Sequence, residues 1–107
     1  MNILPEIAAS VPEMNEWRHH IHAHPETAFE ETATAAFVAD KLASFGLEVH
    51  TGLAKTGVVG VLRDGDGTDS VSSAIGLRAD LDALHVHERS GVPYASRHEG
   101  RMHACGH

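Results

Sequence analysis

The only cysteine of the chain stands two residues before a histidine, in the segment MHACGH at residues 102–107. Side chains alternate along an extended segment, so Cys105 and His107 are expected to project to the same side, together with His103. A thiolate and an imidazole are both good ligands for zinc and similar divalent ions. A cysteine packed as a small apolar side chain beside an incidental histidine explains the spacing equally well. The pattern alone leaves both interpretations open.

A second group of chemically useful side chains lies in RADLDAL, residues 78–84. Asp80 and Asp82 are predicted to present their carboxylates on one side at the end of a strand, where α/β sheets bind ligands. Arg78 stands two residues earlier and can neutralise one of them. A solvated strand end with a local ion pair is the simpler interpretation of this segment taken alone. Beside a cysteine–histidine segment, however, such carboxylates can orient a metal-binding histidine.

Composition and charge narrow the class of protein. The 107 residues suffice for one small domain, and the formal net charge is −7 at pH 7. An acidic chain argues against nucleic acid and against an anionic membrane surface as partners. No apolar run reaches the length of a membrane span. The start of the chain lacks the features of a signal peptide, and one cysteine cannot form an internal disulfide, so we expect a cytoplasmic protein.

Two helices are predicted in the first half of the chain. The first has Ser10 as a candidate N-cap, and Pro25 ends it because the residue before a proline avoids the helical region. The second runs from about Glu30 to Phe45 along an apolar stripe at helical spacing, and Gly46 is its predicted stop. The stripe consists of Ala33, Phe37, Val38, Leu42 and Phe45.

Three strands are predicted after the helices, at Leu47–Thr51, Gly57–Arg63 and Ala74–Asp80. The stretch DGDGTDS, residues 64–70, is rich in turn-forming residues and is expected to join the last two strands as an antiparallel hairpin. It lacks the glutamate that closes a calcium-binding loop, which argues against a calcium site. Helices followed by strands indicate an α/β or α+β layer, and three strands are few for a complete one.

Four motifs stand in the order and spacing of a known enzyme family. They are WRHHIHAHPETAFEE (17–31), KTGVVGVL (55–62), RADLDAL (78–84) and MHACGH (102–107). Through them the chain resembles, from about residue 14 onward, the N-terminal part of the metal-dependent amidohydrolases. That metallopeptidase family includes hippurate hydrolase, the aminoacylase-like N-acyl-amino-acid amidohydrolases and the indole-acetyl-amino-acid hydrolases. The combination of RADLDAL with MHACGH is the most specific part of the resemblance.

The resemblance implies an α/β fold, the N-terminal part of a three-layer αβα zinc-exopeptidase-like catalytic domain. Residues 1–107 would form the truncated N-terminal portion of this metal-binding domain, with helices followed by a mixed sheet that is incomplete in this chain. In the family, a smaller inserted domain serves dimerisation and closure over the substrate. We therefore expect the full-length protein to be a homodimer or a higher homo-oligomer.

The resemblance also implies roles for individual residues. Cys105 would supply a bridging thiolate and His107 an imidazole to two divalent metal ions, zinc or manganese, with cobalt or nickel as further options. Asp82 matches an aspartate that supports a metal-bound histidine in related peptidases, whereas Asp80 stands at that histidine's place and is the weaker candidate. The remaining ligands, a glutamate and two histidines, and the general-base glutamate are expected from later chain.

The activity implied is hydrolysis of the amide bond of N-acyl amino acids, hippurate-type substrates, by water that the two metal ions activate. The full-length enzyme would carry it out, and residues 1–107 alone are expected to be inactive and marginally folded. The alternative is a non-catalytic metal-binding or interaction domain that uses the same fold. His85 and His87 depart from the family pattern, and their roles stay open, as does that of His103.

Overall fold

The computed structural model describes residues 2–63 and 74–106, so Met1, the DGDGTDS stretch with the three residues after it, and His107 lie outside the described residues. Two helices are followed by a β-hairpin. The elements are α1 (Pro5–Ala23), α2 (Thr32–Ser44), β1 (Glu48–Leu53) and β2 (Gly57–Val61). The predicted α/β class and the order of helices before strands are confirmed. No helix among the described residues is long and apolar enough to cross a membrane.

The first helix begins earlier than the sequence predicts and ends where it predicts. Pro5 occupies the start of α1, a position that suits proline because its missing N–H has no helical partner there. Ser10 is therefore not the N-cap, and its hydroxyl donates to the Ile7 carbonyl at 2.8 Å inside the helix. At the other end, α1 stops at Ala23, and Pro25 follows as a fully buried residue.

A carboxylate from outside α2 caps the N-terminus of that helix. Glu26 Oε1 accepts hydrogen bonds from the backbone N–H and the hydroxyl of Thr34, both at 2.6 Å, and Oε2 accepts from the Ala33 N–H at 3.0 Å. Burial acts to raise the pKa of Glu26, but these hydrogen bonds outweigh it and hold the pKa below its ordinary value. The ionised group also complements the positive end of the helix dipole. At the opposite end, Gly46 has φ +80°, which confirms the predicted stop.

The hairpin joins β1 to β2, which corrects the predicted pairing of Gly57–Arg63 with Ala74–Asp80. Glu48 lies opposite Val61 in an antiparallel register, and the register shifts beside Gly52. The connection between the strands is tight, with positive φ at Gly52, Ala54 and Lys55. A partner so near in sequence costs less loop-closure entropy than one beyond a long loop, so β2 pairs with β1.

The third predicted strand, Ala74–Asp80, is wrong for the described residues, because no strand is present there. Ile75 and Leu77 are 89% and 97% exposed, so neither packs on the hairpin or on a helix. A strand needs a neighbour for its backbone N–H and C=O groups, and this segment has none among residues 2–63 and 74–106.

The second helix lies closest to the hairpin at Gly60. A Cβ placed on Gly60 would come within 3.1 Å of Leu42 Cδ1 and 3.0 Å of Leu47 Cδ2. The two layers approach closely there because no side chain separates them. The predicted apolar stripe is only partly covered: Leu42 is half-buried, whereas Phe45, 6.0 Å from the Trp17 ring, is exposed.

Candidate metal centre

Three backbone hydrogen bonds bring the two chemically active segments beside the end of α1. Ala83 N–H donates to the Glu26 carbonyl at 2.7 Å, which sets RADLDAL next to the turn after the helix. Leu84 and Met102 exchange two hydrogen bonds, both 3.0 Å long, which sets the MHACGH segment next to RADLDAL. Ala83 is 3% exposed and Thr27, its bridge partner, is 5% exposed. The junction is thus the best-buried part of the described chain.

A cavity of about 260 Å³ lies between these two segments. Asp82 and Cys105, two of the three predicted site residues, both line it. The full lining is Arg78, Asp80, Asp82, Leu84, His103 and Cys105. The third predicted residue, His107, lies outside the described residues. The structure therefore brings together the described members of the predicted site on the walls of one cavity.

Arg78 pairs with Asp80, the carboxylate that the sequence made the weaker candidate. Its Nη2 lies 2.6 Å from Asp80 Oδ1, and the Asp80 side chain is 25% exposed. The local ion pair expected for this segment is therefore present, and it engages Asp80. Asp82 is half-buried on the same cavity wall, while Cys105 is exposed at its mouth.

His103, whose role the sequence left open, belongs to this cavity. Its Nε2 atom is buried and has no hydrogen-bond partner among the described residues. Burial lowers the pKa of His103, nearby His22 lowers it further, and Asp82 acts in the opposite direction. The imidazole is therefore neutral near pH 7, the form in which histidine binds metals. Its spacing of two from Cys105 was the sequence signal for this placement.

The donor types around the cavity suit a divalent metal ion, but the described residues do not complete a site. A thiol, a carboxylate and a buried imidazole nitrogen without a partner are the groups that zinc-like ions accept. Within residues 2–63 and 74–106, no three histidine, cysteine, aspartate or glutamate side chains are grouped so that they could hold a metal. The chemistry of the donors fits, and further ligands are required.

Two neighbouring cavities share walls with this one. His103 and Asp80 also line a cavity of about 310 Å³ that reaches Arg18 and His22 on α1. Asp82 also lines a cavity of about 320 Å³, and His85 lies on that one, away from Cys105. His85 is thus not part of the Cys105 cavity as described.

Glu88 is a site-adjacent residue that the sequence analysis did not single out. Its Oε1 lies 2.9 Å from His22 Nε2 and accepts from the Ser90 hydroxyl at 2.6 Å, and its Oε2 accepts from the Ser96 N–H. Hydrogen bonds from Ser90, from the Ser96 backbone and from His22 lower the pKa of Glu88 to about 2. No local pattern signals this cluster, because His22 and Glu88 are 66 residues apart.

A family profile and two curated relatives point to the same group of enzymes. The profile of peptidase family M20/M25/M40 matches residues 76–107. The hippurate hydrolase of Campylobacter jejuni is 50% identical over 100% of this chain and 27% of its own length. The N-acetyl-L-cysteine deacetylase of Bacillus subtilis is 44% identical over 84% of this chain and 21% of its own.

A solved structure supports the same relationship. The YXEP protein of Bacillus subtilis, described as a dinuclear metal-binding peptidase from the M20 family, superposes with a TM-score of 0.78 at 33% identity. The match covers 92% of this chain and 27% of that one. This chain thus spans about a quarter of the length of the relatives it matches. The resemblance to the metal-dependent amidohydrolases is confirmed, and in sequence and in fold this chain is a relative of the M20/M25/M40 peptidases.

Proposed function

We propose that this chain is the N-terminal portion of the catalytic domain of a metal-dependent amidohydrolase that cleaves the amide bond of N-acyl amino acids, hippurate-type substrates among them. The observation that carries the proposal is the cavity that Asp82, His103 and Cys105 all line. Relatives at 44% and 50% identity bear the names N-acetyl-L-cysteine deacetylase and hippurate hydrolase, and both names denote cleavage of an N-acyl amide.

The exposed apolar surface supports the assignment to a larger domain. Ala23 and Ala83 are the buried apolar residues of the described core, whereas Leu62, Ile75 and Leu77 are at least 77% exposed. Burial of apolar area stabilises a protein by about 25 cal/mol per Å². Further chain that covers these side chains would therefore stabilise the fold, and it would also supply the missing metal ligands and the general-base glutamate.

Cys105 and His107 are the proposed metal ligands, and they would hold the metal ions through a thiolate and an imidazole. Two divalent ions, zinc or manganese with cobalt or nickel as further options, would polarise the amide carbonyl and lower the pKa of water. Asp82 is proposed to orient a metal-binding histidine by accepting a hydrogen bond from its second nitrogen. Arg78 engages the neighbouring carboxylate, that of Asp80, at 2.6 Å, which is consistent with assigning this role to Asp82.

The proposed partner is a small N-acyl amino acid, and its hydrolysis would yield a carboxylic acid and an amino acid. The net charge of −7 supports a protein that binds neither nucleic acid nor an anionic membrane. We propose a cytoplasmic location and assembly of the full-length protein as a homodimer or larger homo-oligomer.

The experiment uses the full-length protein that contains this chain. Amine release from hippurate and from N-acetyl amino acids is measured before metal removal, after it, and after return of zinc, manganese or cobalt. Activity that disappears with the metal and returns with it supports the proposal. Full metal binding without turnover on any N-acyl amino acid would contradict it and favour the non-catalytic metal-binding domain.

Two variants test the assigned residues in the same assay. Cys105→Ser should lower both metal content and turnover, because serine is a far poorer anionic ligand near neutral pH. Asp82→Asn should weaken metal affinity or activity about 10–100-fold, the usual effect of losing a group that orients a ligand. Ala104→Ser, which adds a hydroxyl at the exposed neighbouring position, is the matched control. Unchanged metal stoichiometry and turnover in Cys105→Ser would remove that residue from the site.

A further inference from the structure

Glu88 connects the last turn of α1 to the loop between the two segments that line the metal cavity. The loop leaves from Leu84 and returns at Met102, where the two residues exchange backbone hydrogen bonds. Glu88 Oε1 lies 2.9 Å from His22 Nε2, and the side chains are 5% and 15% exposed. The pair therefore links helix and loop in a place that is largely closed to solvent.

The hydrogen bonds around Glu88 determine which group donates in the contact between Glu88 and His22. The three donors around Glu88 keep its pKa near 2, so the carboxylate is ionised at neutral pH and can only accept. The proton of the contact must then reside on His22 Nε2. One tautomer and one ring orientation of His22 follow from the presence of Glu88.

The Glu88 carboxylate also accepts hydrogen bonds from two residues of its own loop. Ser90 donates its hydroxyl to Oε1 at 2.6 Å, and the Ser96 N–H donates to Oε2. One residue further, the Arg97 N–H donates to the Ala23 carbonyl at 2.9 Å, which attaches the loop to α1 a second time. The loop is thus tied both to itself and to the helix end, and Glu88 takes part in both connections.

The imidazole that Glu88 orients lies beside the metal cavity. The His22 ring stands 5.6 Å from the Tyr94 ring, edge to face, and 6.4 Å from the His103 ring. Tyr94 is itself stacked on His19 at 3.7 Å. His22 therefore has neighbours on both sides, and one of them is the histidine two residues before Cys105.

We propose that Glu88 is a positioning residue for the metal cavity, because it orients His22, whose ring stands 6.4 Å from the His103 ring on the wall of a shared cavity, and thereby the segment that carries Cys105. The proposal rests on the proposed function only in requiring that this cavity bind metal. It does not require that the substrate be an N-acyl amino acid.

The test is cobalt binding to the full-length protein, since a thiolate ligand gives cobalt a characteristic charge-transfer absorption. Glu88→Gln keeps the size and an acceptor oxygen but removes the charge, and Glu88→Ala removes the contact. Both should weaken cobalt affinity, the alanine variant by about 10–100-fold and the glutamine variant less, and both should shift the thiolate absorption of the cobalt-saturated protein. Glu99→Gln, an exposed glutamate of the same loop, should change neither property.

The outcomes separate this proposal from the proposed function. A Glu88→Gln protein that melts at a lower temperature but keeps the cobalt affinity and the absorption band would reduce Glu88 to a structural residue and overturn the proposal. If Glu88→Ala does not fold, the glutamine variant alone decides. A wild-type protein that binds cobalt without cleaving N-acyl amino acids contradicts the proposed function, while the shift in Glu88→Gln still supports the role of Glu88. No cobalt binding by the wild-type protein overturns both.

Discussion

The junction after α1 and the segment at residues 74–77 differ in what surrounds them. At the junction, Pro25 is fully buried, and Thr27 and Ala83 are no more than 5% exposed. In the segment, Ile75 and Leu77 are large apolar residues, yet they are 89% and 97% exposed. The described residues therefore bury the junction that positions the chemically active side chains. They leave the apolar side chains of the 74–77 segment exposed. Contacts among the described residues therefore position the candidate site, whereas none of them covers the apolar side chains of the 74–77 segment.

The largest effect is expected from residues 1–107 expressed alone. They should have no detectable amidohydrolase activity with added zinc, manganese or cobalt, because the proposed function takes the remaining metal ligands and the general-base glutamate from later chain. Ordering a chain costs about 1–2 kcal/mol per residue, and the exposed apolar side chains do not offset that cost here. Thermal unfolding should show no cooperative transition. A cooperative melt together with metal-dependent turnover would show that residues 1–107 fold and function without further chain.

Leu77→Ala in the full-length protein should have the next largest effect. If other chain covers the 74–77 segment, truncation of a buried leucine costs about 2–5 kcal/mol of unfolding free energy, measured by urea denaturation. Leu77→Met, which conserves volume, should cost less than about 1.5 kcal/mol. A loss within about 0.5 kcal/mol for the alanine variant would mean that the segment faces solvent in the full-length protein as well.

Glu26→Ala tests the stability of the junction after α1. Its carboxylate satisfies three donors at the start of α2, so its loss should cost about 0.5–2 kcal/mol, the usual effect of removing a helix cap. Urea denaturation of the full-length protein measures the loss. Glu13→Ala, an exposed glutamate on α1, serves as the control and should be near neutral. Equal stabilities of the two variants would show that the junction does not depend on this cap.

The fourth expected effect is a loss of stability in acid. The folded protein lowers the pKa of Glu88 from 4.5 to about 2, so the stability this group contributes is fully present above about pH 4.5. It should be lost as the pH falls from there toward 2, because the folded and unfolded forms then bind the same proton. The stability difference between the full-length wild type and Glu88→Gln should narrow over this window in urea titrations. A constant difference from pH 6 to 2 would contradict the assignment.

Sequence patterns predicted the features that depend on neighbours in the chain. Pro25 and Gly46 mark the ends of their helices through local backbone effects, since proline restricts the residue before it and glycine accepts the positive φ of +80° seen at Gly46. The strand at Ala74–Asp80 was predicted on composition, and it failed because a strand requires a partner that composition does not reveal. The predicted partner, β2, pairs instead with the nearer β1.

The sequence predicted the residue types of the candidate site, but only part of the packing and hydrogen bonding around them. Asp82 and Cys105 share a cavity, as the combination of motifs indicated. His103 was recognised as lying on the same side as Cys105, but its burial depends on the packing of α1, which spacing does not encode. The roles of Glu26 and Glu88 were not predicted, because an acidic side chain on a loop gives no sign of its hydrogen-bond donors, and His22 is 66 residues from Glu88.

The hydrogen bond from Ala83 to the Glu26 carbonyl has a consequence for the order of folding. It joins residues 57 positions apart (83 − 26), and the second helix and the whole hairpin lie inside the loop that it closes. Closing a long loop costs entropy before the contact repays it, whereas helices and a tight hairpin need only nearby residues. We therefore expect α1, α2 and the hairpin to form early and the cavity walls to meet late. A metal ion would then encounter the assembled cavity as the final product of folding, and the exposed thiol of Cys105 would stay unligated until that step.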